Sequence, residues 1–274
     1  MNSPSKKRFP PIPFILTITA GMILLSIVVI SLLPPSIVLG NKRLVFGAVY
    51  EGVVTCPQKI DIEIKNKILD THNRFIWKVK PDKKWISVRP SWGKGKGIIK
   101  VRTHSTHLHP GTHEGKIRVF SSSAINSPRE IEVILKIFDK GKSSPPFGYI
   151  DIPQDGQKID SPSFNVWGWA LDDIEVVEVK IKREPFQNDL PSSIESDGLV
   201  FLGDAQMKGG IRPDVEKSFP LFPLNTRSGW GFYVSSKIFS SFSEQTIKIH
   251  AVARDKEGHL TDLGSKKVVY KKSQ

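Results

Sequence analysis

Ile131-Glu132-Val133-Ile134-Leu135-Lys136-Ile137 sets four large aliphatic side chains, at 131, 133, 135 and 137, on one side of an extended chain, with Glu132 and Lys136 on the other. A period of two is the pitch of a strand with one face in a core and one in water. The same beat recurs upstream. Ile60, Ile62 and Ile64 alternate with Asp61 and Glu63, and Phe75, Trp77 and Val79 with Ile76 and Lys78. Ile86/Val88, Ile99/Val101 and Ile117/Val119 repeat it in shorter form. With a leading strand at Leu44–Val49, about seven short strands fill residues 42–139, and none has helical periodicity. Such a set predicts a β-sandwich.

Lys140-Gly141-Lys142-Ser143-Ser144-Pro145-Pro146 is a polar linker ending in two prolines, a domain boundary by composition. Beyond it the alternation resumes. Tyr149–Ile152, Phe164–Trp169, Glu175–Lys182, Leu199–Leu202, Gly231–Val234, Thr246–Ala253 and Val268–Tyr270 read as strands. Arg183–Asp197, with Pro185 and Pro191, reads as an exposed loop. The expected fold class is all-β: two immunoglobulin-like β-sandwiches in tandem, residues 42–139 and 147–272, joined by a linker at 140–146.

Phe14–Leu33 is a run of 20 residues without a charged side chain. As a helix it reaches about 30 Å, the thickness of a bilayer's hydrocarbon core. Pro34-Pro35 would stop it there. The competing reading is a cleaved signal peptide, but the run is long for one and Ser36-Ile37-Val38-Leu39-Gly40 offers no good small-x-small site. Lys6-Lys7-Arg8 precede the run, so residues 1–13 are expected in the cytoplasm and the C-terminal modules outside it, periplasmic or extracellular.

Hydrophobic content of 39% and charged content of 24% suit folded rather than disordered chain. The single cysteine, Cys56, excludes an intrachain disulfide framework. The net charge of +13 is uneven: residues 42–140 carry 20 basic and 9 acidic side chains, residues 145–274 carry 16 and 18. The first module is therefore suited to an anionic surface and the second is near neutral.

Phe46-Gly47-Ala48-Val49, Gln58, Trp77, Trp85-Ile86-Ser87-Val88, Pro90, Gly93 and Gly95 occur in the order of a BACON-type immunoglobulin-like domain. Pro110-Gly111-Thr112, Gly115-Lys116-Ile117-Arg118-Val119 and Asn126-Ser127-Pro128 continue it, so that the first module resembles that family over nearly its whole length. The resemblance implies a bacterial surface or polysaccharide-processing context, carbohydrate or mucin binding in some copies, a spacer role in others, and core positions for Trp77 and Trp85. Gly168-Trp169-Ala170-Leu171-Asp172-Asp173, Arg212-Pro213-Asp214-Val215, Ser228-Gly229-Trp230-Gly231 and Ala253–His259 resemble a bacterial immunoglobulin-like domain over residues 146–270. Neither resemblance implies a reaction.

Four groups of residues carry candidate chemistry. Gly93-Lys94-Gly95-Lys96-Gly97 lacks a G-K-[ST] ending and a following helix, and reads as a flexible hairpin loop rather than a phosphate cradle. Lys83, Lys84, Lys94 and Lys96 are the candidate anionic-surface residues; no exposed aromatics are interleaved with them, which argues against nucleic acid. His104, His107, His109 and His113 are candidate metal ligands because imidazole suits zinc, copper or nickel. Asp151, Asp155, Asp160, Asp172, Asp173, Asp255 and Glu257 gather near strand ends, where calcium sites can form, with Asp172-Asp173 otherwise capping a turn. No nucleophile elbow or HExxH helix appears, and no cofactor is implied.

The expected function is a non-enzymatic, membrane-anchored binding or adhesion module. Its candidate partners are the lipid bilayer through Phe14–Leu33, a polysaccharide or other anionic envelope polymer, and another envelope protein. The alternative is a structural spacer or scaffold that holds a partner protein in the cell envelope.

Overall fold

A computed structural model describes residues 34–65, 75–161, 163–235, 238 and 244–271. The first part of the chain forms β1 (Ser36–Leu39), β2 (Arg43–Val49), β3 (Gln58–Lys65), β4 (Ile76–Pro81), β5 (Ile86–Arg89), β6 (Trp92–Lys94), β7 (Lys96–Thr103), β8 (Gly111–Phe120) and β9 (Arg129–Phe138). One sheet has the order β1-β3-β7-β5 and the other β2-β9-β8-β4-β6. In immunoglobulin lettering the first is A-B-E-D, and β9-β8-β4 is G-F-C. The leading strand is split. β1 pairs antiparallel with β3, and after Gly40-Asn41-Lys42 the chain changes sheets so that β2 runs parallel to β9. The sandwich thus begins at Ser36, upstream of residue 42.

The alternation places the core where the pattern required. Ile60, Ile62, Ile64, Ile117, Ile131 and Leu135 are fully buried between the two sheets, with Trp77 among them. Trp85 is partly buried against the same core. The glycine run after Trp92 has a different role from the flexible hairpin expected of it. A Cβ on Gly93 would stand 2.1 Å from the Trp77 ring, and one on Gly97 2.6 Å from it, so these two glycines make room for the indole. Gly95, at φ +54°, makes the turn between them.

The second part repeats the architecture with β10 (Phe147–Ile152), β11 (Gln157–Ile159), β12 (Ser163–Leu171), β13 (Val176–Arg183), β14 (Val200–Asp204), β15 (Gln206–Lys208), β16 (Gly229–Ser235), β17 (Glu244–Asp255) and β18 (Leu260–Lys271). A short helix, α1 (Pro213–Ser218), lies between β15 and β16. The sheets are β10-β12-β16-β15 and β11-β18-β17-β13-β14, again A-B-E-D and a G-F-C sheet with a parallel strand, β11, on β18. Val166, Val179, Ile181, Ile249, Ala251 and Trp230 fill the space between them. The Arg183–Asp197 loop is exposed along most of its length but tied at its base. Lys182 pairs with Glu195 and Asp197, and Arg183 takes Asp189 in a two-pronged contact at 2.5 and 2.6 Å.

The two sandwiches meet through backbone. Thr55 Oγ1 accepts the Gly47 N–H at 2.8 Å and donates to the Ile174 carbonyl at 2.8 Å. The Cys56 N–H donates to Glu175 at 2.8 Å, and Lys256 Nζ bridges Glu175 and the Val54 carbonyl, each at 2.9 Å. Burial first, then the hydrogen bond that the thiol donates to the Glu175 carboxylate, pushes Cys56 up to about 11, which keeps it protonated at neutral pH. Among the described residues no helix is long and apolar enough to cross a membrane; the expected span Phe14–Leu33 and the tail before it lie outside them.

Candidate functional site

Strand β12 decides where a ligand can sit. Phe164, Val166, Gly168 and Ala170 point into the core and Asn165, Trp167 and Trp169 point away from it. A strand with tryptophans on its outer face has too much apolar surface to leave in water without a reason. Trp169 is covered by its own chain: its ring lies 5.8 Å from Phe147 and 5.5 Å from Phe219, in a cluster that Phe222 completes. Trp167, one step along the same face, is 39% exposed.

The registers of the neighbouring strands build a groove around it. Trp167 pairs with Gly231 of β16, and Gly231 with Gln206 of β15, while Asn165 pairs with Tyr233. Gly231 has no side chain to fill the middle of this row, so the edge of the indole stays open; a Cβ there would stand 3.3 Å from Trp167 Nε1. Lys208 Nζ lies 5.9 Å over the Trp167 ring. Tyr233 is 63% exposed and its hydroxyl donates to Ser163. The cleft between Trp167 and Tyr233, about 280 Å³, is bordered by Asn165, Asp204, Gln206 and Lys208. A second cleft of about 440 Å³ runs on from the other side of Trp167 and Asn165 past Pro153, Gln157 and Asp160. Two rings with amide, carboxylate and ammonium groups at their edges offer apolar faces and convergent hydrogen bonds along one open groove.

The residues singled out in the sequence fall elsewhere. Lys83 and Lys84 are exposed in the turn after β4, whereas Lys94 pairs with Ile76 at the opposite end of that strand, next to Lys96. At about 3.4 Å per residue the two pairs are separated by about 17 Å along β4, with exposed Lys78 and Lys80 between them on its outer face. Trp92, 56% exposed, pairs with Lys78, an exposed aromatic not expected among these lysines. His104 meets Ser87 Oγ at 3.1 Å, and His113 Nε2 donates to the His109 carbonyl at 2.8 Å. His107 sits at a turn with φ +65°. No three of these histidines bring ligand atoms together among the described residues. Of the acidic set, Asp151 pairs with Arg212 and Asp155 accepts the Lys267 N–H. Asp172 caps its turn, accepting the Ile174 and Glu175 N–H groups at 2.8 Å each.

The sequence reading missed Trp167 and Tyr233. The signal was present in the Phe-Asn-Val-Trp-Gly-Trp alternation of residues 164–169, which makes β12 apolar on both faces.

No protein-family profile matches the chain, and no curated protein sequence matches it either. Among solved structures it is similar to the Bacteroides ovatus GH5 xyloglucanase in complex with a XXXG heptasaccharide, at 15% identity over 38% of this chain and 19% of that one, with a TM-score of 0.27. The fibronectin(III)-like modules of Clostridium thermocellum CbhA align at 10% identity over 87% of this chain and 94% of theirs, TM-score 0.27. The N-terminal Ig1-2 module of the Drosophila receptor protein tyrosine phosphatase DLAR aligns at 12% identity over 87% and 100%, TM-score 0.26. At such scores these likenesses decide nothing. The strand orders themselves define a tandem immunoglobulin-like β-sandwich protein.

Proposed function

We propose that this chain is a non-enzymatic glycan-binding module of a bacterial cell envelope, and that the outer face of β12 and β16 takes the polysaccharide. The observation that carries this reading is Trp167, left open beside Gly231 on a strand whose next outward tryptophan is covered. A sugar ring presents an apolar C–H face and a rim of hydroxyls. The indole and the Tyr233 ring suit the first, and Asn165, Asp204, Gln206 and Lys208 suit the second. The open, two-part groove favours a chain over a single sugar. The run Phe14–Leu33 would tether the module to the cytoplasmic membrane with its domains outside, and the BACON-like pattern of residues 42–139 is in keeping with such a place.

The test is affinity electrophoresis of the full-length protein in detergent through gels cast with neutral and acidic polysaccharides. Retardation by at least one polymer is expected, and Trp167→Ala should weaken it by at least about tenfold, as the loss of a central aromatic anchor does. Retardation that survives both Trp167→Ala and Tyr233→Ala would remove the face from consideration. The second reading, a scaffold holding a partner protein, is favoured by the hydrogen-bonded junction of the two sandwiches. It gains if no polysaccharide retards the wild type.

A further inference from the structure

The first sandwich begins almost where the uncharged run Phe14–Leu33 ends, since only Pro34 separates Leu33 from Pro35. From Pro35 on the chain is held. The Pro35 carbonyl accepts the Ile125 N–H at 3.0 Å. The Asn126 side chain brackets Ile37, accepting its N–H at 2.8 Å and donating to its carbonyl at 3.0 Å. β1 is thus clamped to the β8–β9 loop, and two Cα–Cα steps, about 8 Å at most, separate that clamp from Leu33.

Strand directions show what else lies at this end. Ser36 pairs with Lys65 and Glu63 with Lys96, so the turn Lys94-Gly95-Lys96 between β6 and β7 is there. Ile76, paired with Lys94, opens β4 beside it. The junction with the second sandwich, at Gly47 and Thr55, is at the opposite end of the β2–β9 pair.

The surface at this end is of two kinds. Lys65, Lys94 and Lys96 are exposed, and Glu63 is paired with Lys65 at 3.3 Å. Ile125, 73% exposed in its loop, and Ile76 leave aliphatic surface in water. One step further up, Trp92, Lys78 and Phe120 stand in a row across β6, β4 and β8, all three exposed. Apolar side chains ringed by lysines, with an indole behind them, suit the interfacial layer of a bilayer. There aliphatic tips reach the acyl boundary, tryptophan sits at headgroup depth and lysine meets phosphate.

We propose that this end of the first sandwich docks onto anionic phospholipid headgroups of the membrane that holds its own tether. Ile125 and Trp92 enter the interfacial layer, and Lys65, Lys94 and Lys96 meet the phosphates. Zwitterionic lipid offers the same apolar layer but no net charge for the lysines, so it is the anionic headgroup that complements this surface. The second sandwich, at the far end, is left clear of the bilayer. All of this rests on Phe14–Leu33 being the membrane tether, and the experiment tells the two apart.

The experiment places an environment-sensitive fluorophore on Ile125→Cys in a Cys56→Ser background, where a hydroxyl can keep the hydrogen bond to Glu175. The full-length protein is reconstituted in vesicles of phosphatidylcholine, alone or mixed with phosphatidylglycerol. Flotation after a carbonate wash comes first. Protein that no longer floats has no tether, and the docking falls with it. In protein that floats, nitroxide carried near the lipid headgroups should quench the label at least about twofold more strongly with the anionic lipid present. Lys65→Glu, Lys94→Glu and Lys96→Glu together should abolish that gain, and as exposed positions they leave the core intact. The same label on Leu190→Cys, in the second sandwich, should escape quenching in both lipids. Flotation without quenching at position 125 overturns the docking and leaves the tether standing. So does equal quenching in both lipids and in the charge-reversed variant, which a short tether alone would give. A blue shift that grows with protein density and comes without quenching would mean that a second copy covers this end, and overturns it too.

Discussion

Arg183 shows how a single residue holds a long loop. It lies at the end of β13 almost out of solvent, its guanidinium 4.0 Å over the Phe186 ring and gripping both oxygens of Asp189. Asp189 also accepts the Phe186 N–H at 2.6 Å, so one carboxylate closes the first turn of the loop. The Arg183 hydrogen bonds hold the Asp189 carboxyl below the usual carboxylate range. A group whose folded pKa is depressed stabilises above its unfolded value, about 3.9, and that stabilisation is lost as the pH falls through the lower, folded value. Asp189→Asn should cost about 3 kcal/mol at pH 7, the order found when one partner of a nearly buried pair is removed. The difference from wild type should shrink towards pH 2. Urea unfolding at both values reads it, and a pH-independent difference would mean that the loop is held by packing on Phe186 instead. Proline and polar residues mark this segment as a loop in the sequence, but the pairing of Arg183 with Asp189 does not show there, because it depends on a turn geometry that no spacing rule encodes.

At the scale of elements, alternation was enough to place most strands and the residues of both cores. It marked neither β1 and β11, which are short, nor the change of sheet that follows β1 and β10. Those depend on partners such as β9 and β18, which lie far along the chain. The candidate site was legible only in part for a related reason. Trp167 and Trp169 have the same place in the pattern, and only the Phe147, Phe219 and Phe222 rings make one of them structural. The glycines of β6 and β7 teach the converse. Gly93 and Gly97 flank a buried indole from two strands, so Gly93→Ala should force Trp77 or the strand to shift. The expected loss is about 1–3 kcal/mol, as for overpacking of a core, with a fall in denaturation midpoint and an unchanged slope. Lys94→Ala, on the exposed side of the same hairpin, should be within about 0.5 kcal/mol of wild type. Equal behaviour of the two variants would mean that the glycines serve the turn and not the ring.

The whole molecule is one architecture used twice, a basic copy followed by a near-neutral one, with one difference in connection: β5 joins β7 and β6 joins β4 in the first, whereas β14 joins β13 and β15 joins β16 in the second. What makes the pair more than beads on a string is how closely the backbones approach at Gly47. A Cβ on that residue would stand 1.9 Å from the Asp173 carbonyl oxygen, and because that atom is backbone no rotamer change can relieve the clash. Thr55 completes the contact, its hydroxyl joining Gly47 to the Ile174 carbonyl. Gly47→Ala should therefore push the sandwiches apart while each keeps its own core, since neither of the two central clusters includes Gly47 or Asp173. Thr55→Val, which keeps the shape and removes the hydroxyl, should loosen the junction more mildly. Uncoupled domains lose the mutual protection of their junction, so protease cleavage within residues 140–146 should speed up by at least about tenfold in Gly47→Ala and by less in Thr55→Val. A single melting transition in the wild type should also split into two in Gly47→Ala. Cleavage and melting that match the wild type in both variants would show that the sandwiches are joined by the linker alone, and the scaffold reading would lose its basis.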